Sequence, residues 1–219
     1  MTVLLSPPPV RLHPTLGELV RRFGDMPAQR IRLDRYPATE DDVAGVRNAE
    51  RRMCELIDGM LLEKDIGFQE SVIAGKIHRR IGNFVEDRRL GVVTVPDGMM
   101  RLAPGLIRIP DVAFVRKTQF PDGRVGPTAI PDIHPDLAVE VISSSNTVEE
   151  MDEKLRDYFA SGTELVWYVE PDTRSVLVFT DPDRANAKRV SVADTLDGGA
   201  VLPGFFLPVA ALFAELDAI

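Results

Sequence analysis

The segment Leu137-Ala138-Val139-Glu140-Val141-Ile142 constrains this chain more than any other. A continuous apolar run of this length reads as a strand buried on both faces, and such strands lie inside a sheet that is covered on each side. One carboxylate interrupts the run. Side chains alternate along a strand, so Glu140 shares a face with Ala138 and Ile142. An ionised carboxylate there is costly unless a cation, a metal ion or hydrogen-bond donors compensate it. Either Glu140 serves a site, or it opens onto a solvent cleft or pairs with an arginine.

The rest of the chain supplies a mixed set of elements around this strand. Residues 53–57 and 60–64 read as two strands joined by an Asp58-Gly59 hairpin turn. Gly67 opens a helix to about Arg88, with Ile73, Ala74, Ile77, Ile81, Phe84 and Val85 as its apolar stripe and Gly91 as its stop signal. Strands follow over 92–95, 99–102, 106–109 and 112–115, then a loop with several prolines and glycines over 118–135. After the 136–143 strand come a helix over 148–161, a strand over 165–170 and its hairpin partner over 175–180. A short strand near 189–192 and a helix over 208–216 finish the chain. This order predicts an α/β fold (α+β in its mixed sheet), with a central mixed β-sheet flanked by helices; the β–α alternation is not sustained enough for a doubly wound sheet. Residues 1–51 are expected to form an N-terminal extension, 52–182 the core, and 183–219 a strand and helix packed on that core. The extension opens on the stiff Pro7-Pro8-Pro9, continues into a short helix capped by Thr15 and Glu18, and carries only weak periodicity over 24–50.

Several function classes lose their usual signatures. The apolar runs are too short to span a bilayer, and the first residues lack the basic and apolar regions of a signal peptide. Cys54 is the one cysteine, which rules out an internal disulfide and fits a cytoplasmic protein in which it is a small buried hydrophobe. His13, His78 and His134 are scattered, with no paired His/Cys spacing for zinc, and His78 reads as a surface residue. Walker A, GxGxxG and GxSxG patterns are absent. A net charge of −8 counts against wholesale coating of nucleic acid. The excess is local: residues 135–183 hold 12 acids and 3 bases, against 22 acids and 23 bases elsewhere, and Lys76, Arg79, Arg80, Arg88 and Arg89 bunch together.

Three further residues stand beside Glu140. Asp111 follows Pro110 at the mouth of the apolar strand over 112–115, although Asp after Pro is also common in turns. Glu70 lies in the first turn of its helix, where the dipole favours an acid, and shares the stripe of Ile73, Ala74 and Ile77. Lys154 flanks the stripe of Met151, Leu155, Tyr158 and Phe159 and could equally bridge to Glu150 on the surface. Two carboxylates on neighbouring strands suit a hard cation such as Mg²⁺, which takes oxygen ligands and keeps several waters. Such an ion polarises a phosphate and lowers the pKa of bound water, and a lysine beside it stabilises developing charge. This set suits phosphodiester hydrolysis better than acyl transfer.

Pro110-Asp111, Glu140 within an apolar strand, and Lys154 resemble the PD-(D/E)XK nuclease superfamily. The longer strings Cys54-Glu55-Leu56-Ile57-Asp58-Gly59, Arg108-Ile109-Pro110-Asp111-Val112-Ala113, Asp136-Leu137-Ala138-Val139-Glu140-Val141-Ile142-Ser143, Lys154-Leu155-Arg156-Asp157-Tyr158 and Leu165-Val166-Trp167-Tyr168-Val169 resemble the Uma-two family of bacterial restriction-endonuclease-like proteins over residues 52–180. The resemblance implies a restriction-endonuclease-like fold and a magnesium- or manganese-dependent endonuclease acting on DNA, with RNA and a homodimer left open. It also implies metal ligation by Asp111, Glu140 and the Val141 carbonyl, with Lys154 and Glu70 as further catalytic residues. The superfamily's usual lysine lies two residues after the glutamate, where this chain has Ile142; Lys154 on the next helix takes that role by resemblance. Two alternatives stay open: a non-catalytic module binding nucleic acid or protein on a nuclease scaffold, and an enzyme acting on a small phosphorylated substrate.

Overall fold

The computed structural model describes residues 14–65 and 67–217; Pro7-Pro8-Pro9 and His13 lie outside the described residues. In chain order the elements are α1 (Leu16–Phe23), β1 (Ile31–Arg32), α2 (Glu40–Glu50), β2 (Cys54–Ile57), β3 (Met60–Glu63), α3 (Phe68–Arg88), β4 (Gly91–Thr94), β5 (Met100–Ala103), β6 (Leu106–Arg108), β7 (Val112–Arg116), β8 (Leu137–Val141), α4 (Val148–Ser161), β9 (Leu165–Glu170), β10 (Ser175–Phe179), β11 (Lys188–Val190), β12 (Thr195–Asp197), β13 (Phe206–Pro208) and α5 (Ala210–Asp217).

The main sheet has the order β11-β10-β9-β8-β7-β4, and β8 sits inside it with all five residues buried. Every pairing in this sheet is antiparallel except β8 with β9. Parallel neighbours need a crossover, and α4 provides it. Alternation along β8 then divides its side chains between two cores. Leu137, Val139 and Val141 meet Ile73, Ile77, Ile81 and Val85 of α3, together with Leu212 and Phe213 of α5. Ala138 faces the other way, onto Met151, Leu155 and Tyr158 of α4. The sheet is therefore covered on both faces, as the unbroken apolar run of β8 requires.

A second sheet, β1-β3-β2-β6-β5, is wholly antiparallel. Its hairpin turns at Asp58 and Gly59, both with positive φ (48° and 77°), the conformation that matches the twist of two-residue hairpins. One face packs with Val43 and Val46 of α2, the other with Phe23 of α1. β12 and β13 form a separate two-stranded pair.

Local chemistry sets the helix ends. Thr147 caps α4 by accepting the Glu150 N–H, and Gly162 ends it at φ 108°. Two differences from the sequence reading have clear causes. Gly91 does not stop α3, which ends at Arg89 in the left-handed region; Gly91 begins β4, where an added Cβ would lie 2.0 Å from the Val115 carbonyl oxygen. Residues 24–50 hold the helix α2, whose hydrophobic stripe is weak but whose start is secured by a reciprocal Thr39–Asp42 cap. Residues 31–32 pair with β3, and Arg30 reaches Glu150 of α4 with Nη2 2.7 Å from Oε1, so this stretch packs directly on the rest of the fold.

Candidate active site

β7 and β8 run antiparallel with Val112 opposite Val139, so the next residues outward, Asp111 and Glu140, face each other at the end of the pair. Asp111 is held by the neighbouring strand: the Val141 N–H donates to Oδ2 at 2.7 Å. Glu140, on the face shared with Ala138, points to α4. There Lys154 Nζ lies 3.1 Å from Oε1, and the Tyr158 hydroxyl donates to the same oxygen at 2.6 Å. Lys154 and Tyr158 are four residues apart and lie on the side of α4 turned to the sheet. Lys154 is buried, not a surface lysine.

A second lysine completes the centre. Lys64, just past β3, places Nζ 2.9 Å from Asp111 Oδ1 and 3.7 Å from Glu140 Oε2, and it donates to the Ile109 carbonyl. Behind this lies a third carboxylate. Glu55 of β2 accepts the Ile109 N–H at 3.0 Å, sits 3.3 Å from Lys154 Nζ, and pairs with Arg108 Nη1 at 2.8 Å. Arg108, fully buried, also donates through Nε to Asp157 of α4 at 2.9 Å. Both sheets and α4 thus contribute to one buried ionic network.

The charges in this network are tuned by their surroundings. Burial opposes ionisation of Glu55, but Lys154, Arg108, Lys64 and the Ile109 N–H outweigh it and hold the carboxyl at about 2. Glu140 moves the other way: burial, with Asp111 and Glu55 as like-charged neighbours, pushes its carboxyl above the ordinary range despite two lysines. Lys154 is held charged, because Glu140 and Glu55 together overcome its burial. A carboxyl depressed on folding contributes stability that is present above its unfolded pKa and lost as pH falls through the folded value. Glu55 should therefore stabilise the fold fully above pH 4.5 and lose that contribution toward pH 2. Urea midpoints of the parent and Glu55→Gln should differ most near neutral pH and converge as pH falls below 4.5; a constant difference would remove Glu55 from the acid response.

Val141 meets Asp111 through its N–H. Glu70 is half-buried in the first turn of α3, its carboxylate folded against Gly67 so closely that a Cβ there would lie 2.0 Å from Oε2. Among the described residues no ion pair joins Glu70 to Lys64 or Lys154, the two lysines of the centre. Glu55, Arg108, Lys64 and Tyr158 are site residues that sequence reasoning did not single out. Glu55 carries the same signal as Glu140, a lone acid inside an apolar strand, and Arg108 is its basic counterpart. Lys64 carries none.

Asp111 and Glu140 are the residues that could hold a hard divalent cation. Among the described residues no three acidic, histidine or cysteine side chains are arranged together to hold a metal ion. The oxygens that do converge, Asp111 Oδ1, Glu140 Oε2 and the Ile109 carbonyl, already surround a cation, the Lys64 ammonium. Two carboxylates and waters are enough for Mg²⁺.

Residues 36–210 match the family model Uma2, described as "Putative restriction endonuclease". The chain belongs to the Uma2 family. The Uma2 match spans the main sheet, four of the five strands of the second sheet (all but β1), α3 and α4, and every residue of the ionic network. Among solved structures, the chain resembles one titled as a putative nuclease belonging to DUF820 from Anabaena variabilis ATCC 29413. The two share 18% identity over 75% of this chain and 91% of that one, with a TM-score of 0.66. That likeness establishes the shared fold, the mixed α/β architecture of a restriction-endonuclease-like protein. No curated protein matches the chain. Among the described residues no helix is long and apolar enough to cross a membrane.

Proposed function

We propose that this Uma2 protein is a magnesium- or manganese-dependent endonuclease that hydrolyses DNA phosphodiester bonds, with Asp111 and Glu140 holding the ion. The observation that carries the reading is the oxygen set of Asp111, Glu140 and Ile109 around one cation, beside a buried charged lysine. In the same reading the Val141 carbonyl is a further metal ligand and Glu70 a further acid of the site. The bound ion supplies Lewis acidity toward the phosphate and a more acidic water. Each protein group has a separate task. Asp111 is oriented by the Val141 N–H, and Glu140 by Tyr158 and Lys154. Lys154, fixed by Glu55 and Glu140, sets a positive charge on the side of the centre facing α4. Arg79, Arg80, Arg88 and Arg89 of the α3 region are exposed and can meet DNA phosphates, whereas Lys76 is buried against Glu215 at 2.8 Å.

Supercoiled plasmid incubated with the purified protein and Mg²⁺ or Mn²⁺ should be nicked and linearised. Chelation and Asp111→Asn should both abolish the cutting. Intact plasmid in either metal, or an Asp111→Asn variant as active as the parent, would overturn the reading.

A second reading has its own observation. Both oxygens of Asp111, Glu140 and Glu55 already face a partner within the protein, which suits a non-catalytic scaffold that binds nucleic acid or protein. Shifted migration of DNA with no cleavage and no metal binding would favour it.

A further inference from the structure

Lys64 stands apart from the other cations of the network. Lys154 and Arg108 are anchored among Glu55, Glu140 and Asp157. Lys64 instead meets Asp111 Oδ1 and Glu140 Oε2, on a four-carbon stem rooted just beyond the end of β3. Its side chain is only 6% exposed. Its three partners are the oxygens that would hold a divalent ion.

Charge counting adds a second argument. With every group ionised, the network holds four carboxylates (Glu55, Asp111, Glu140, Asp157) and three cations (Lys64, Arg108, Lys154), a net of −1. Without Lys64 the net becomes −2, the complement of a divalent ion. With Lys64 in place, an added ion would meet an ammonium within a few ångströms, and like charges at that distance repel strongly in a buried setting.

We propose that the Lys64 ammonium is a built-in counter-cation, filling the Asp111–Glu140–Ile109 cradle until a divalent metal ion displaces it. Lys64 thereby sets the metal affinity of the site. The proposal rests on the metal-centre reading above, and the experiment separates the two.

Mn²⁺ binding is measured by calorimetry on the parent, Lys64→Met and Asp111→Asn, each checked for a cooperative thermal transition. Lys64→Met should bind Mn²⁺ at least tenfold more tightly than the parent, and Asp111→Asn should lose binding. A parent that binds while folded Lys64→Met binds no more tightly would overturn the role of Lys64 and leave the metal centre intact. Absence of binding in both the parent and Lys64→Met would overturn both readings. A measurement on the unaltered protein covers the case in which Lys64→Met does not fold. Acetylation of Lys64 by acetic anhydride, followed by peptide mass spectrometry, should rise severalfold when Mn²⁺ is added at a concentration that saturates the parent in calorimetry. Unchanged labelling at that saturation would overturn the proposal.

Discussion

Glu140→Gln should lower the DNA cleavage rate by about 10²–10³-fold while leaving the protein at least as stable as the parent near neutral pH. The two effects diverge for one reason. Glutamine keeps the shape of the side chain and an oxygen for the Tyr158 hydroxyl, but it removes one negative charge from the centre. Cleavage suffers because the oxygen set loses one of its two carboxylates. Stability does not, because burial already pushes the Glu140 carboxyl above its ordinary range, so the fold holds this charge at a cost. The net charge of the network rises from −1 toward neutrality, and Lys154 keeps Glu55 at 3.3 Å. Plasmid cleavage rates and urea unfolding at pH 7 check the two halves. A variant that is both active and destabilised would mean that Glu140 serves the fold and not the chemistry.

Arg108→Met should do the opposite, costing about 3–5 kcal/mol of stability. Arg108 is fully buried and links Glu55 on β2 to Asp157 on α4, so it ties the second sheet to the helix behind the main one. Removing it leaves Glu55 buried with Lys154 as its nearest remaining cation, and takes the network to −2 with no ion to answer it. A loss of this size is a large part of the stability of an ordinary domain, so the urea midpoint should fall sharply. A change under 1 kcal/mol would mean that the pair is solvated in solution. Glu55→Gln with Arg108→Met should recover part of the loss, since breaking a buried pair costs more than removing both partners.

The contrast between these variants separates two halves of one network. One half, Glu55, Arg108 and Asp157, is arranged for cohesion, with each charge met by fixed partners on neighbouring elements. The other half, Asp111, Glu140 and Lys64, gathers carboxylate oxygens about one ammonium. Lys154 connects them through Glu55 and Glu140, and it sits with Tyr158 on the helix that the crossover from β8 to β9 requires.

Much of this arrangement was legible in the amino-acid order. The apolar run about Glu140 determined a buried inner strand, and the next strand and helix followed from periodicity, with α4 and β9 ending where their caps and turns indicate. Glu140 stood out because a charge inside an apolar strand breaks a local rule, and Glu55 breaks the same rule in β2. What the order of residues did not disclose is which charges meet. Lys64 and Asp111 are 47 positions apart, and Arg108 and Asp157 are 49 apart. Ion pairing over such separations depends on sheet register and on the angle at which two sheets and a helix converge. A strand's period of two and a helix's period of 3.6 specify the face of a side chain, not the neighbour across the gap. The tertiary structure alone decided that Lys154 is buried, that Lys64 occupies the cradle, and that Lys76 is taken by Glu215. A lysine's long flexible stem lets it serve either water or a buried carboxylate, and only its three-dimensional surroundings choose between them.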